Sequence, residues 1–401
     1  MKYDFTTIMD RRGKDAIAVD MVGTPDTFAP GAPKEGFDVI PMWVADMNFP
    51  VVPSIQQAMQ ERISHPAFGY FDPSEDYFNA IIRWQETRNG VKNLKKEHIG
   101  YENGVLGGVV SAMQVFCSRG DEILLHSPTY IGFTGSLENA GYKLVHSPLY
   151  QDEQGVWRMD FADMEEKLKT RHIHAAVFCS PHNPTGRVWE RWEVEQAMEL
   201  FRKYDVMVVS DEIWSDILLD GHKHVPTQSV SEDATNRTVA LYAPSKTFNL
   251  AGLVGSYHII YNDTLRHRHD KESSLSHYNS MNVMSMHALI GAYSLQGQEW
   301  VQELCDVLSG NVDYAVKCIE EHFPGIRVSR PQGTYMLFLD CEQWCKEKGK
   351  DVGALLKAGW DVGVAWQDGR PFHGPYHIRV NLALPLSRVQ EAFNRLKDYV
   401  F

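Results

Sequence analysis

The 401-residue chain has few cysteines, a deficit of basic residues and no long apolar run. Six cysteines are too few for a disulfide scaffold, so we expect free thiols and a cytoplasmic protein. The formal net charge of −13 disfavours nucleic acid and anionic membrane surfaces as partners. The most apolar stretch, residues 104–116, is too short and too rich in glycine to span a bilayer, and we expect no secretory signal at the N-terminus. A globular enzyme or binding protein is therefore the expected class.

The distribution of apolar residues predicts an α/β fold with two domains. Proline and glycine are dense in the first 50 residues, which predicts an extended arm with turns. Between about residues 100 and 260, short apolar runs alternate with amphipathic stretches, and this rhythm predicts a mostly parallel central sheet sandwiched by helices. Beyond about residue 270, long helical stretches give way to short apolar runs, and this pattern predicts a smaller α+β domain. The expected division is an N-terminal arm with part of the small domain (1–50), a large domain (51–285) and a small C-terminal domain (286–401).

An amide, a carboxylate and an amine follow three successive predicted strands: Asn183, Asp211 and Lys246. Their spacing of about 30 residues matches one strand and its crossover, so neighbouring strands would bring the three groups to one edge of the sheet. These groups suit pyridoxal phosphate (PLP), which needs an amine for its aldehyde, a carboxylate for its ring nitrogen and an amide for its ring oxygen. The glycine-containing turn 104–110, which opens an apolar helix, would supply N–H groups for the phosphate.

Six motifs, in chain order, match one known family. They are Pro41–Met47, Phe68–Tyr70, Ser180–Gly186, Ser210–Ile213, Ser245–Gly252 and Ile378–Asn381. Together they resemble the fold-type I PLP enzymes of the class I/II aminotransferase group, and within it the cystathionine β-lyase (C–S lyase) branch of the MalY/PatB type. Because the motifs run from residue 41 to 381, the resemblance covers nearly the whole chain.

The resemblance implies a role for each matching residue. Lys246 would bind the PLP aldehyde as an imine and later remove the substrate Cα proton. Asp211 would pair with the ring nitrogen, and Asn183 would donate to the ring oxygen. Tyr70 would reach the phosphate of a neighbouring subunit, which implies a homodimer with shared active sites. The remaining implied contacts are Tyr130 on the pyridine ring, the Val105 and Leu106 amides and Ser245 on the phosphate, and Arg379, Trp43 and Ala45 on the amino-acid substrate.

The chain departs from the family pattern at four positions. Many aminotransferases have a serine and an arginine on the phosphate where this chain has Ala243 and Val254. Trp214 replaces a frequent tyrosine and cannot make its phenol hydrogen bond. The lyase branch commonly has an aspartate at the position of Asn48, a change that we connect with substrate preference rather than reaction class.

Most candidates also have a structural explanation that involves no chemistry. A lysine after a strand, such as Lys246, is usually a solvated surface residue. Asp211 could cap the following helix, and the segment containing Asn183 is good turn chemistry. Arg379 could be a salt-bridged surface residue, and Tyr130 could be part of the core.

We expect a PLP-dependent C–S β-lyase that cleaves L-cystathionine or S-substituted L-cysteines to a thiol, pyruvate and ammonia. An aminotransferase of a small amino acid is the nearer alternative, because the same carbanion can be protonated elsewhere. A PLP-binding protein with a mainly regulatory, non-catalytic role is the more distant alternative.

Two pairs of histidines, His222 with His224 and His267 with His269, have a spacing that would place each pair on one face of a strand. Such a pair could bind a metal ion. No carboxylate or cysteine partner is evident in the sequence, so we interpret them as solvated loop histidines and predict no metal site.

Overall fold

The computed structural model describes residues 1–274 and 279–401, which divide into two compact units. The predicted domain boundaries at residues 50 and 285 stay predictions. The larger unit comprises Val51–His182 and Arg187–Val301, and the smaller unit comprises Met1–Pro50, Asn183–Gly186 and Gln302–Phe401.

Helices and strands alternate in the described residues as the apolar pattern predicts. No helix in this part of the chain is both long enough and apolar enough to cross a membrane. The helices are α1 (Ile17–Asp20), α2 (Pro53–Ser64), α3 (Glu75–Asn89), α4 (Val105–Phe116), α5 (Ile131–Asn139), α6 (Phe161–Thr170), α7 (Arg191–Lys203), α8 (Glu232–Arg237), α9 (Pro244–Thr247), α10 (Asp263–Ser274), α11 (Val283–Ala292), α12 (Leu295–His322), α13 (Glu342–Lys348), α14 (Val352–Asp361) and α15 (Leu386–Tyr399). The strands are β1 (Ile40–Pro41), β2 (Ile99–Glu102), β3 (Glu122–Ser127), β4 (Lys143–Gln151), β5 (Trp157–Met159), β6 (Ile173–Cys179), β7 (Met207–Asp211), β8 (Thr238–Tyr242), β9 (Ser256–Ile259), β10 (Arg327–Val328), β11 (Met336–Asp340), β12 (Val364–Ala365), β13 (Gln367–Asp368) and β14 (His377–Asn381).

An eight-stranded sheet lies at the centre of the larger unit, in the order β2-β9-β8-β7-β6-β3-β4-β5. The strands from β8 to β4 in this order pair in parallel, and the pairings at both edges are antiparallel. This sheet confirms the predicted mostly parallel α/β architecture. Because β6, β7 and β8 are neighbours, their carboxyl ends lie along one edge of the sheet.

Helices cover both faces of this sheet because successive strand residues point to opposite sides. On β6, Val177 packs in one apolar cluster with Val109 of α4. The next residue, Phe178, packs in a second cluster with Met198 and Phe201 of α7. Strands that are buried on both faces read as continuous apolar runs, which is the pattern visible in the sequence.

The smaller unit contains a four-stranded antiparallel sheet in the order β10-β11-β14-β13 and a two-stranded parallel pair, β1-β12. The first 50 residues have α1 and β1 as their regular elements, separated by turns and irregular segments. Hydrogen bonds join the first 50 residues to strand β14. Asn381 Nδ2 on this strand donates to the carbonyl oxygens of Val44 and Asp46, both at 2.6 Å. The smaller unit is thus built from both ends of the chain.

Candidate active site

Lys246 lies on α9, a four-residue helix that follows β8 directly. Pro244 occupies the first helical position, where its fixed φ angle favours a helix start. The neighbouring Thr247 donates from Oγ1 to Oδ2 of the buried Asp216 at 3.0 Å, and Trp84 Nε1 donates to Oδ1 of the same carboxylate at 3.1 Å. A helix of four residues is not stable alone. The buried Asp216 carboxylate therefore fixes the segment that carries the lysine.

Asp211 is the last residue of β7, and only 4% of its surface is exposed. Burial raises the pKa of its carboxyl group to about 7, although the N–H of Ile213 and the charge of Lys246 both favour the ionised form. The Ile213 N–H donates to Asp211 Oδ1 at 3.1 Å. The strand ends therefore place an amine and a buried carboxylate in electrostatic contact, and this carboxylate needs a further cation to stay ionised at neutral pH.

Trp214 faces the lysine in the larger unit. The amine nitrogen of Lys246 lies 5.8 Å from the centroid of the Trp214 ring, and Trp214 itself is buried. This distance is within the range of a cation–π interaction. The residue that replaces the family tyrosine thus contributes an aromatic surface beside the amine.

Glu212, next to Asp211, is fully buried in a hydrogen-bond network that the sequence did not predict. Its Oε2 accepts from Tyr242 Oη at 2.6 Å and lies 2.5 Å from Nε2 of the buried His224. Its Oε1 accepts from Ser210 Oγ at 2.9 Å and from the Thr227 N–H at 3.0 Å. Burial opposes ionisation of Glu212, but these partners together hold its pKa below the usual value. The interpretation of His224 as a solvated loop residue is therefore wrong.

The turn before α4 has the conformation expected of an anion-binding helix start. Gly104 is the N-cap residue with a φ angle of +79°, which lies in the region that favours glycine. The first N–H groups of a helix, here those of Val105 and Leu106, have no acceptor within the helix. The Val254 Cγ1 atom lies 3.8 Å from the position that a Gly104 Cβ would occupy. An apolar side chain thus borders the turn where many family members have an arginine.

Tyr130 lies beside the same turn. A Cβ at Gly132 would come within 2.4 Å of the Tyr130 ring and 2.8 Å of Leu106 Cδ1, so the two side chains meet over this glycine. The Tyr130 ring also makes an edge-to-face contact with Phe133, with centroids 5.4 Å apart, and packs against the core beneath α4. Ser245, by contrast, is half-buried on α9 next to Lys246.

Arg379, on β14 of the smaller unit, is only 3% exposed. Its Nη1 donates to Asn183 Oδ1 at 3.0 Å, and its Nη2 donates to the Trp43 carbonyl oxygen at 3.3 Å and to the Gln367 side chain. The guanidinium also lies 4.4 Å from the centroid of the Phe372 ring. The alternative of a surface salt-bridge residue is therefore wrong, because this arginine is buried and held by polar and aromatic neighbours.

The neighbours of Arg379 are oriented by further hydrogen bonds. Since the Asn183 oxygen accepts from Arg379, the Asn183 NH₂ group is the part of this amide that can donate. The Trp43 indole donates to the Ala18 carbonyl oxygen at 2.9 Å, so the Trp43 backbone, not its ring nitrogen, is turned to the arginine. The Ala45 carbonyl oxygen accepts from Tyr335 Oη at 3.1 Å. The early motif is thus fixed within the smaller unit.

The departure at Asn48 lies in an ion-pair network of the smaller unit. Arg11 pairs with Asp46 at 2.6 Å, and its Nη1 donates to Asn48 Oδ1 at 3.0 Å. An aspartate at position 48 would place a second carboxylate beside Arg11, in addition to that of Asp46.

Tyr70 lies between α2 and α3 and is fully exposed, at 111% of the reference area. Phe68 beside it is 57% exposed. The predicted contact of Tyr70 with a second subunit stays a prediction.

These strand ends, the half-buried lysine with its buried carboxylate neighbour and the helix start define a member of a known family. The chain belongs to the family described as aminotransferase class I and II, which its sequence matches over residues 38–396. This match and the observed sheet confirm the predicted family and fold.

One relative and two solved structures show which members of this family are similar to the chain. Cystathionine beta-lyase PatB of Bacillus subtilis is 33% identical over 363 residues, which span 90% of this chain and 92% of that protein. The PLP-bound C–S lyase from Staphylococcus hominis has a TM-score of 0.89 at 28% identity and covers 100% of this chain and 99% of its own. Cystalysin from Treponema denticola, whose structure contains PLP, has a TM-score of 0.91 at 28% identity, with coverage of 100% and 99%. The activity and the cofactor predicted from the sequence are thus those of close relatives.

Proposed function

We propose that the protein is a PLP-dependent carbon–sulfur β-lyase that cleaves L-cystathionine or S-substituted L-cysteines to a thiol, pyruvate and ammonia. One observation carries the proposal: the buried Asp211 ends β7 and Lys246 follows the neighbouring parallel strand β8, in a chain that is 33% identical to a cystathionine β-lyase. When bound, PLP supplies an electron sink for a carbanion next to the substrate amino group.

The residues of the larger unit fit this cofactor. Asp211 is a buried carboxylate whose ionised form needs a cation, and a protonated pyridine nitrogen is such a cation. Lys246 would hold the aldehyde carbon, and Tyr130 would stack on the ring. The N–H groups of Val105 and Leu106 would bind the phosphate, with Ser245 as a further donor. This phosphate site would have less positive charge than that of many aminotransferases, because Val254 replaces an arginine, and one hydroxyl donor fewer, because Ala243 replaces a serine.

Lys246 is the residue that moves protons in the proposed reaction. Its free amine takes the proton from the substrate Cα, and the electron pair of that bond then forms the Cα–Cβ double bond as the thiolate leaves Cβ. The proton on Lys246 passes to the thiolate, which leaves as a thiol, and water hydrolyses the released enamine to pyruvate and ammonia. The aromatic face of Trp214, 5.8 Å from the amine, would limit water around this group.

Arg379 is proposed to bind the substrate carboxylate. Its planar fork suits two parallel hydrogen bonds to a carboxylate, and Asn183 and Gln367 already hold the guanidinium in a fixed orientation. Trp43 and Ala45 are proposed to line the substrate site through the backbone near Arg379.

We further propose a cytoplasmic homodimer in which Tyr70 reaches the partner's phosphate site. The full exposure of Tyr70 and the exposure of Phe68 and Ile63 support a contact surface in this part of the larger unit. All six cysteines are thiols in the described structure, which is compatible with a reducing compartment.

The direct test is incubation of the purified holoenzyme with L-cystathionine in the absence of any 2-oxo acid. Release of thiol and pyruvate in equal amounts supports the lyase, whereas turnover only after a 2-oxo acid is added would establish an aminotransferase. Lys246→Ala is expected to abolish both turnover and the absorbance of the lysine-bound cofactor. Lys203→Ala, which removes an exposed lysine paired with Glu165, serves as the control and should keep both. A yellow protein that is inert toward every amino acid would leave only a binding role.

A further inference from the structure

A second group of chemically active side chains, the Glu102–His258–His269 cluster, lies outside the residues assigned above. Glu102 is the last residue of β2, His258 lies on β9, and His269 lies on α10. All three are buried, with 0%, 2% and 0% of their surface exposed. His269 is on a helix and not in a solvated loop, so the interpretation of this histidine from the sequence is wrong.

The strand register brings the three side chains together. Gly100 of β2 pairs with His258 of β9, and the imidazole covers the glycine so closely that a Cβ at Gly100 would lie 2.4 Å from Nε2. Two residues further along β2, on the same face, Glu102 places Oε1 2.7 Å from His258 Nδ1 and 3.3 Å from His269 Nε2. The two imidazole rings meet edge to face with centroids 4.5 Å apart.

Of the two buried imidazoles, His258 makes a hydrogen bond with Glu102 and His269 does not. His258 Nε2 and both ring nitrogens of His269 lack a hydrogen-bond partner in the described structure. Buried polar atoms are rarely left in this state, so each such atom needs an explanation.

We propose that the Glu102–His258–His269 cluster binds a divalent transition metal ion of the zinc class. One ligand atom from each residue lies within 4.8 Å of the others, and two histidines with one carboxylate form a common ligand set for zinc. At metal–ligand distances of about 2.0–2.1 Å, tetrahedral ligands are roughly 3.3 Å apart. The separation of Glu102 Oε1 and His269 Nε2 already has this value, and the Glu102–His258 contact has to widen by roughly half an ångström.

A fourth ligand can reach the cluster from solvent. A cleft of about 310 Å³ opens beside His258 and is lined by Gly100, Tyr101, Asp270 and Asn279, among others. A water molecule in this cleft would complete a four-coordinate site. The cleft is also a path of entry for the ion.

The cluster is connected to the turn that starts α4. Asn279 Nδ2 donates to Glu102 Oε2 at 3.0 Å, and its Oδ1 accepts from the Asn103 N–H at 2.7 Å. An ion on Glu102 would therefore tie β2, β9 and α10 together and stiffen the segment that precedes Gly104. The metal site itself does not depend on the proposed lyase activity.

The test is metal binding to the holoenzyme. Metal-depleted protein is titrated with Co²⁺ and then Zn²⁺, while the visible ligand-field absorption and the metal content after dialysis are measured. We expect one Co²⁺ per chain with the strong absorption of a tetrahedral site, displaced by Zn²⁺. Glu102→Gln and His269→Asn should each weaken binding at least 10-fold. His267→Asn, an exposed position two residues away on α10, is the matched control and should bind as the wild type does.

Failure of the wild-type protein to retain either ion would overturn the proposal and leave a purely hydrogen-bonded triad. Undiminished binding by folded Glu102→Gln and His269→Asn proteins would overturn it as well, because the ion would then lie elsewhere. Should both variants fail to fold, His258→Gln is titrated instead, and the tetrahedral absorption of the wild type with a stoichiometry of one decides the question.

Discussion

Asp211→Asn is expected to stabilise the cofactor-free protein at neutral pH while it weakens PLP binding. Burial raises the pKa of Asp211 to about 7, compared with about 3.9 in an unfolded chain. As the pH rises above about 4, the unfolded chain loses this proton whereas the folded protein keeps it until about pH 7. The folded protein then binds more protons than the unfolded chain, so the free energy of unfolding falls as the pH rises through this window. Asparagine at position 211 removes this pH dependence.

The magnitude follows from the two pKa values. A difference of about three units corresponds to about 4 kcal/mol as an upper limit, and the part that develops between pH 5.5 and 7.5 is about 2 kcal/mol. Urea denaturation of both cofactor-free proteins at these two pH values measures the effect directly. The stability advantage of Asp211→Asn should grow by about 2 kcal/mol between them. PLP titration of the same preparations should show weaker binding by the variant, because the ring nitrogen loses its anionic partner.

Asp340→Asn is the matched control for this experiment. Asp340 also accepts a hydrogen bond from a backbone N–H two residues later, that of Glu342 at 2.9 Å, but its side chain is half-buried at the end of β11. The profile of Asp211→Asn is compared with that of this variant, which loses a carboxylate that is not fully buried. If the free energies of unfolding of wild type and Asp211→Asn changed in parallel with pH, the reasoning would be refuted. Asp211 would then not have a pKa that burial raises in the absence of a cation.

Three further substitutions test other parts of the site. Arg379→Lys keeps the charge but loses the fork, so kcat/KM for cystathionine should fall roughly 10- to 100-fold, mainly through KM, and an unchanged KM would contradict the assigned role. Val254→Arg places a guanidinium beside Gly104 and should slow PLP dissociation about 10-fold, as followed by cofactor absorbance after dilution; faster release would argue against a phosphate at this turn. Glu212→Gln breaks the buried contact with His224 and should lower the free energy of unfolding by about 3 kcal/mol at pH 7. Because the pKa of Glu212 is depressed in the fold, its stabilisation is present above about pH 4.5 and lost below it, so the difference between the two proteins should shrink in acid; a constant difference would be the contrary result.

The sequence predicted the sheet and the position of Asp211 and Lys246 at its edge because strand ends are local features. The runs that became β6, β7 and β8 are apolar on both faces, and the first polar residues after them mark the edge where Asp211 and Lys246 lie. The glycine at position 104 was equally readable, since a positive φ angle at a helix start favours glycine. Such signals depend on a few adjacent residues.

The unpredicted residues depend on partners that are remote in the chain. In the sequence, Glu212 is only a carboxylate next to the end of a predicted strand. Its partners Tyr242 and His224 become its neighbours only in the folded chain. His269 and Glu102 are 167 positions apart by their residue numbers, and only the pairing of β2 with β9 and the packing of α10 make them neighbours. Spacing within a short motif contains no information about such contacts. The spacing of the histidine pairs therefore gave no sign that the neighbour of His224 is Glu212 and that of His269 is Glu102.

The smaller unit joins the two ends of the chain, and this has a consequence for its synthesis. Ile40 pairs with Val364, and Arg395 Nη1 donates to the Asp38 carbonyl oxygen across 357 residues. When the N-terminal segment emerges from the ribosome, its partners Val364 and Arg395 have not yet been synthesised. Contacts between residues so far apart in the chain form slowly. Until they form, the apolar residues of this segment stay exposed to solvent and can aggregate. A nascent chain that is arrested before residue 364 should therefore hold a folded eight-stranded sheet and a protease-sensitive N-terminus, which becomes protected only after translation is complete.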